Sequence, residues 1–283
     1  MKRLKRIVAA VLLLTALSAL AVWWLFRGTP GFYHAYQWTE EQRARYSQQA
    51  LDKLAAPQNM AAAARARASA EARGQVVAAS AAPTSVTVRF DEAELNAFLA
   101  HWSRAFRAQY ERSITDPAIF LRDGHIILAA RWRDLGTLAS LHFAAGITAD
   151  GELELRLVKR MGGKLPLPSA VTRHGEQVLR NAVARSLPAW QAAANIDATC
   201  TANLSAVKAA TGKLMLSAMD NRPASAVLFV PLLDNSHAVA VRLTQLEIAD
   251  GSISLTVEVL PPAQRQALQA KIREPYIPPG PRP

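Results

Sequence analysis

The chain has a single cysteine, Cys200, among its 283 residues, so no intramolecular disulfide can form. Its stability must therefore come from packing rather than from covalent cross-links. A lone thiol becomes reactive only beside a group that lowers its pKa, and the sequence around Cys200 shows no such pattern. We interpret Cys200 as a buried or unreactive thiol.

Recognisable catalytic and cofactor-binding motifs are also missing. The sequence has no G-x-S-x-G, H-E-x-x-H, P-loop or G-x-G-x-x-G segment, and its six histidines lack metal-ligand spacing. His125 and His142 could be neighbours across one sheet, where histidines on the solvent face are commoner than metal ligands. We therefore predict no catalytic residue, no cofactor, no metal site and no enzymatic activity.

The chain has fewer acidic than basic residues, with 22 aspartates and glutamates against 33 lysines and arginines, so its net charge is positive. Several of the excess cations flank one apolar run near the N-terminus or lie in an Arg/Ala-rich stretch at residues 65–73. No aromatic and basic recognition motif accompanies them, so the sequence predicts no nucleic-acid partner.

The apolar run is the most informative segment that the sequence does contain. Residues 7–26 carry no charge, and twenty helical residues span roughly the 30 Å hydrocarbon core of a bilayer. The cations before it, in MKRLKR, predict that the N-terminus is cytoplasmic and the rest of the chain lies outside. The sequence thus predicts a single-pass protein of the cytoplasmic (inner) membrane with an uncleaved signal anchor. A signal peptide cleaved near Ala19–Ala21 is the alternative.

The segment that follows is predicted to be a juxtamembrane stretch and a helical stalk. Thr39 and Gln42 have the spacing of a capping box, which predicts a helix from Thr39 to Ala55 that stops near Pro57. Asn59 is predicted to cap a second helix that closes at Gly74. Four aromatic side chains before these helices are expected to extend an interfacial belt: Phe32, Tyr33, Tyr36 and Trp38.

Alternating apolar residues and Asp-Gly pairs indicate a body of hairpins packed on helices. Asp91 and Glu94 predict a helix start, and an aromatic stripe follows at helical spacing. Hairpin turns are predicted at residues 123–124, 150–151 and 250–251. The hairpins at Thr137–Lys159 and Ala238–Val259 have coinciding apolar positions and suggest a repeat, and the second is expected to contain a bulge before Leu246. A helix is predicted from Ser169 to Trp190.

Part of the body resembles a known family. The segments FDEAELNAFL from Phe90, IFLRDGHIIL from Ile119 and GGKLPLPS from Gly162 follow one another in the order seen in YpmS-like exported, membrane-anchored bacterial proteins. The resemblance covers about residues 84–190. It implies one N-terminal span and a lipid-binding-like α+β body, and it carries over no functional residue.

The predicted fold class is α+β. It comprises an N-terminal transmembrane helix, a helical stalk and a mostly antiparallel curved sheet of long hairpins packed on amphipathic helices. The predicted boundaries are 1–27 for the cations and anchor, 28–83 for the aromatic segment, stalk and linker, 84–274 for the body and 275–283 for a proline-rich tail.

The leading functional prediction is a non-catalytic, membrane-anchored protein that binds an apolar, lipid-like ligand or assists envelope assembly. Its predicted partners are the membrane, through the N-terminal helix, and a lipid or an envelope protein. The alternatives are an envelope hydrolase with loop-borne catalytic residues and a structural interaction domain. A continuous apolar pocket would favour the first, a carboxylate or histidine cluster in a cleft the second, and an exposed apolar patch the third. The candidate groove residues are Leu95, Phe98, Leu99, Trp102, Phe106, Leu141, Phe143, Leu153, Leu155 and Leu157.

Overall fold

The computed structural model describes residues 17–18, 20–71, 73, 84–100, 114–197, 201–231, 237–260 and 264–278. The predicted α+β class and mostly antiparallel pairing are confirmed. The helices are α1 (residues 20–27), α2 (Glu40–Glu71), α3 (residues 92–100), α4 (Ser169–Ala193), α5 (Leu204–Met219) and α6 (Arg265–Arg273). The strands are β1 (Ser85–Asp91), β2 (Ile114–Arg122), β3 (His125–Trp132), β4 (Thr137–Ile147), β5 (Glu152–Gly162), β6 (Leu165–Pro166), β7 (Thr201–Asn203), β8 (Pro223–Ser225), β9 (Val227–Pro231), β10 (His237–Ala249) and β11 (Ser252–Val259).

The strands form two sheets rather than the single curved sheet that the sequence suggested. One has the order β1-β11-β10-β7 with β9 also paired to β10, and the other has the order β2-β3-β4-β5-β6 with β8 paired to β5. The two long hairpins, β4–β5 and β10–β11, therefore belong to different sheets. Their relation as a repeat stays a prediction.

Local signals in the sequence correspond closely to the local structure. The backbone N–H of Gln42 donates to Thr39 Oγ1, and the N–H of Thr39 donates to Gln42 Oε1, each at 3.1 Å. Asp123 and Gly124 both have positive φ, at 52° and 71°, as a type I′ turn requires. The register of β10 against β11 shifts between Leu243 and Gln245, where the bulge was predicted.

The predicted break at Pro57 is wrong, because α2 runs through it as one helix of 32 residues. A proline inside a helix costs about 3 kcal/mol or more. Buried apolar contacts on both sides of Pro57 offset that cost, since Ala50, Met60 and Ala61 are all nearly inaccessible to solvent. Lys53 of α2 also pairs with Glu94 at 2.6 Å. The helix predicted to be a stalk therefore packs on the body.

The structure contradicts the prediction of a transmembrane helix. Among the described residues, no helix is long and apolar enough to cross a membrane. Residues 1–16, which hold the first half of the predicted span, lie outside the described residues.

The end of α1 is fixed to the start of β4 and to the turn between β5 and β6. Thr137 Oγ1 donates to the carbonyl oxygen of Phe26, and the backbone N–H of Lys164 donates to the Leu25 oxygen at 3.0 Å. Gly163 has φ of +58°, and a Cβ atom there would overlap the backbone of Phe26. The Gly162–Gly163 pair is therefore a point of close backbone approach.

The aromatic segment does not form the predicted interfacial belt, because it packs on β2. The rings of Phe32, Tyr33 and Tyr36 have their centroids 5.6, 5.5 and 6.1 Å from that of Phe120. Trp38 continues the stack, with its ring centroid 4.6 Å from that of Tyr36. Phe120 is fully buried, so these rings cover an otherwise exposed edge of the core.

Candidate ligand cavity

A cavity of about 590 Å³ lies between α5, β9 and the region around α6. Its described lining is mainly apolar, and most of its apolar side chains come from three elements. Helix α5 contributes Val207, Ala210 and Leu214, strand β9 contributes Val227, Leu228, Phe229 and Val230, and α6 contributes Leu268 and Ile272.

Helix α5 forms one wall because its other face is packed tightly against α4. Gly212 faces α4, where an added Cβ would meet Trp190, Val183 and Leu187 at 3.3–3.4 Å. Small buried residues at Ala206 and Ala209 continue this face. The helix begins at an N-cap, where Asn203 Oδ1 accepts from the N–H of Ala206 at 2.9 Å. The close contact with α4 fixes the face that lines the cavity.

The strand wall is held by both sheets. Strand β8 pairs with β5 of one sheet, and β9 pairs with β10 of the other. The turn before β8 places Asn221 at φ of 52°, and its Oδ1 accepts from the Leu157 N–H at 2.9 Å. The cavity therefore lies where the two sheets are joined.

The segment after α6 forms part of the cavity lining. Gln191 Nε2 donates to the backbone oxygens of Ile272 and Glu274 at 3.0 and 2.6 Å. Arg222 donates to the Ile277 oxygen at 3.2 Å, and the Tyr276 hydroxyl donates to Asp220 Oδ2. These bonds hold the tail against α4 and the turn before β8.

Asp220 links the segment after α6 to α4, because its carboxylate contacts both Tyr276 and Arg180. Burial by itself would raise the pKa of its carboxyl group, but hydrogen bonds from Arg180, at 2.7 Å, and from Tyr276 outweigh burial and lower the pKa. Burial and then the bond to Asp220 raise the pKa of the Tyr276 hydroxyl. Asp220 is therefore charged and Tyr276 neutral at neutral pH, which preserves the donor and acceptor roles of the bond.

Positive charge predominates at the polar edge of the cavity. Its described lining includes Lys213, Arg222 and Lys271 and one carboxylate, Glu274. Lys271 pairs with Glu152 at 2.7 Å. The half-buried Lys213 donates to the backbone oxygen of Lys271, and burial lowers the pKa of its ammonium group.

The structure separates the ten residues predicted to form a groove. Among the described lining residues, Phe98 is the only one of the ten. Leu153 is buried in a core cluster against which Leu155 packs, and Leu95 packs on the cluster of Val88 and Phe90. Four more of the ten are half-buried outside this lining: Leu99, Leu141, Phe143 and Leu157. Trp102 and Phe106 lie outside the described residues.

The sequence analysis missed α5, which provides much of the lining. The signal was present in residues 204–219, a helix that is more apolar than α2, α4 and α6 and carries small residues at Ala206, Ala209 and Gly212. Spacings of three between small residues are typical of a helix that packs closely on another.

A second, smaller cleft contains the two histidines predicted to be neighbours. His125 and His142 both line a cavity of about 400 Å³ with Arg122 and Lys159. Burial, then Lys159 and His125, lower the pKa of His142. Ser140 Oγ lies 3.2 Å from His142 Nε2, but Ser140 is only 1% exposed, so a substrate could not reach its oxygen. Among the described residues, no group of three or more potential metal ligands is found.

The chain was compared with protein-family models, curated proteins and solved structures, and none of them matches it. The resemblance to YpmS-like proteins therefore stays a prediction, and function must be argued from the geometry of this chain.

Proposed function

We propose that this protein binds an apolar, lipid-like molecule without catalysis, in the cavity between α5, β9 and α6. The observation that carries the proposal is the predominantly apolar lining of a space of about 590 Å³. That volume lies within the range of small-molecule sites, which are typically mostly apolar with a few polar groups.

The other two functional hypotheses have less support. The Ser140–His142 pair is the nearest arrangement to a nucleophile and base, and its serine is inaccessible. A purely structural domain would gain little from an open apolar cavity, because unfilled apolar volume forfeits packing energy.

Filling the cavity should weaken ligand binding while leaving the fold intact. Thr211 lines the cavity from α5 and is exposed, so Thr211→Trp can place its ring in the open space without displacing core atoms. We expect wild-type protein to bind the neutral fluorophore N-phenylnaphthylamine saturably. The Thr211→Trp variant should bind about tenfold more weakly, a loss of about 1.4 kcal/mol. A fluorescence titration measures both affinities.

The matched control is Lys208→Trp. Lys208 is exposed on the same helix and is not among the described lining residues, so this variant should bind the fluorophore like wild type. Two results would contradict the proposal: a folded wild-type protein with no saturable binding, or equal affinities in the Thr211→Trp and Lys208→Trp variants.

A second proposal concerns the membrane, and it is supported by the outward face near α1. Leu17, Leu20, Val22, Trp23 and Trp24 are each between 52% and 67% exposed. Exposed apolar side chains that include tryptophans are typical of a segment that contacts the interface of a bilayer. Two cations lie over the rings, with Arg27 Cζ 4.4 Å from the centroid of Trp23 and Lys164 Nζ 5.5 Å from that of Trp24.

We therefore propose that this face contacts the surface of an anionic bilayer. Its cations would lie at the level of the lipid headgroups. The location of the body outside the cytoplasm at the inner membrane stays a prediction from the N-terminal cations.

Removing both tryptophans should weaken this contact. We expect a Trp23→Ser, Trp24→Ser variant to co-sediment less with phosphatidylglycerol vesicles than wild type, by about tenfold or more in partition coefficient. A control variant, Leu128→Ser, replaces an apolar residue of β3 that is 42% exposed, and it should sediment like wild type. Unchanged partition of the double variant would exclude this face as the contact.

A further inference from the structure

We infer that the ligand of this cavity is a single-chain amphiphile with a carboxylate at one end, and that Lys213 binds this end. The inference rests on the proposed function and adds the chemical class of the ligand. An apolar chain would occupy the space between β9 and α6, and the acidic group would lie at the cationic edge.

The first argument is the balance of charge around the cavity. Its described lining carries three cations and one carboxylate, that of the solvent-exposed Glu274. Two of the cations already have partners. Lys271 is paired with Glu152 at 2.7 Å, and Arg222 donates to the Ile277 oxygen at 3.2 Å. An anionic end group would therefore meet an excess of positive charge.

The second argument is the position of Lys213. It lies on the lining face of α5 and is half-buried. Among the described residues, its ammonium group has one hydrogen-bond acceptor, the backbone oxygen of Lys271. An ammonium group has three donors, so two are available for a ligand. A carboxylate placed there would receive charge-assisted hydrogen bonds, which are the stronger kind.

The electrostatics of Lys213 agree with this geometry. Burial is the largest influence and lowers its pKa, Glu274 acts in the opposite direction, and Lys271 lowers the pKa further. A bound carboxylate would raise the pKa of Lys213 again, because a close negative charge favours the charged ammonium form. The ammonium group of Lys213 carries one positive charge, which matches a single negative charge better than the nearly double charge of a phosphate monoester.

The test is displacement of N-phenylnaphthylamine by three ligands with the same chain: dodecanoate, dodecanol and dodecyl phosphate. With wild-type protein, dodecanoate should displace the fluorophore at about tenfold lower concentration than dodecanol, as expected for one charge-assisted interaction. Dodecyl phosphate should be weaker than dodecanoate. The Lys213→Met variant keeps the apolar stem of the side chain and should bind dodecanoate and dodecanol equally.

The control variant Lys208→Met removes an exposed cation from the same helix, and it should retain the wild-type preference. Equal displacement by dodecanoate and dodecanol in wild type would overturn the inference, and so would an unchanged preference in the Lys213→Met variant. Stronger displacement by dodecyl phosphate than by dodecanoate would also overturn the inference, because it would show that the site prefers a phosphate end group to a carboxylate. Failure of the fluorophore itself to bind would instead refute the proposed function, so the two failures are distinguishable.

Discussion

Replacing Phe120 by alanine is expected to lower the free energy of unfolding by about 3–5 kcal/mol, as for other large-to-small changes at buried aromatic positions. Phe120 is fully buried, and four rings of the preceding aromatic segment surround it. The His34 ring centroid is the nearest, at 5.2 Å, and those of Tyr33, Phe32 and Tyr36 lie at 5.5–6.1 Å. Removing the phenyl ring would therefore leave a cavity and release the segment that covers it.

Urea denaturation of the wild type and the variant measures this difference. The control is Leu128→Ala on the neighbouring strand β3, which is 42% exposed and should cost less than about 1 kcal/mol. Limited proteolysis should also cut the aromatic segment faster in the Phe120→Ala variant. If Phe120→Ala lowers the free energy of unfolding by less than about 1 kcal/mol, packing of the aromatic segment on Phe120 does not stabilise the core.

The second large effect is expected at Glu92, a buried carboxylate that joins α3 to β2. Its Oε1 accepts from the Leu121 N–H at 2.6 Å and from the Arg122 guanidinium, and its Oε2 accepts from the Tyr36 hydroxyl at 3.3 Å. Glu92→Ala would remove the side-chain acceptor of the buried Leu121 N–H and the carboxylate that pairs with the partly buried Arg122 guanidinium. We expect a loss of about 3 kcal/mol in the free energy of unfolding.

The control for Glu92 is Glu247→Ala, because Glu247 is exposed on β10. It should change the free energy of unfolding by no more than about 0.5 kcal/mol, the usual range for surface substitutions. Equal effects of the two variants in urea denaturation would show that the carboxylate of Glu92 has no net stabilising role.

Features that depend on neighbours in sequence could be predicted without the structure. The capping box of Thr39 and Gln42, the turn at Asp123–Gly124 and the shift beside Gln245 follow from the chemistry of a few adjacent residues. Alternation of apolar residues likewise predicted the long hairpins, because side chains on a strand face opposite sides in turn. These properties are local, so no distant contact was needed to decide them.

Features that depend on distant contacts were decided only by the tertiary structure. The cost of Pro57 in α2 is offset by burial against strands far away in sequence. The aromatic segment has a sequence pattern that would suit either a lipid interface or packing on Phe120, because both environments are apolar. Only the tertiary structure shows that it packs on Phe120. The cavity arises because α5 packs on α4 through small residues while β8 and β9 pair with different sheets. The sequence by itself thus determined the capping box, the hairpin turns and the long hairpins, and the packing between elements decided which apolar faces were buried and which enclose the cavity.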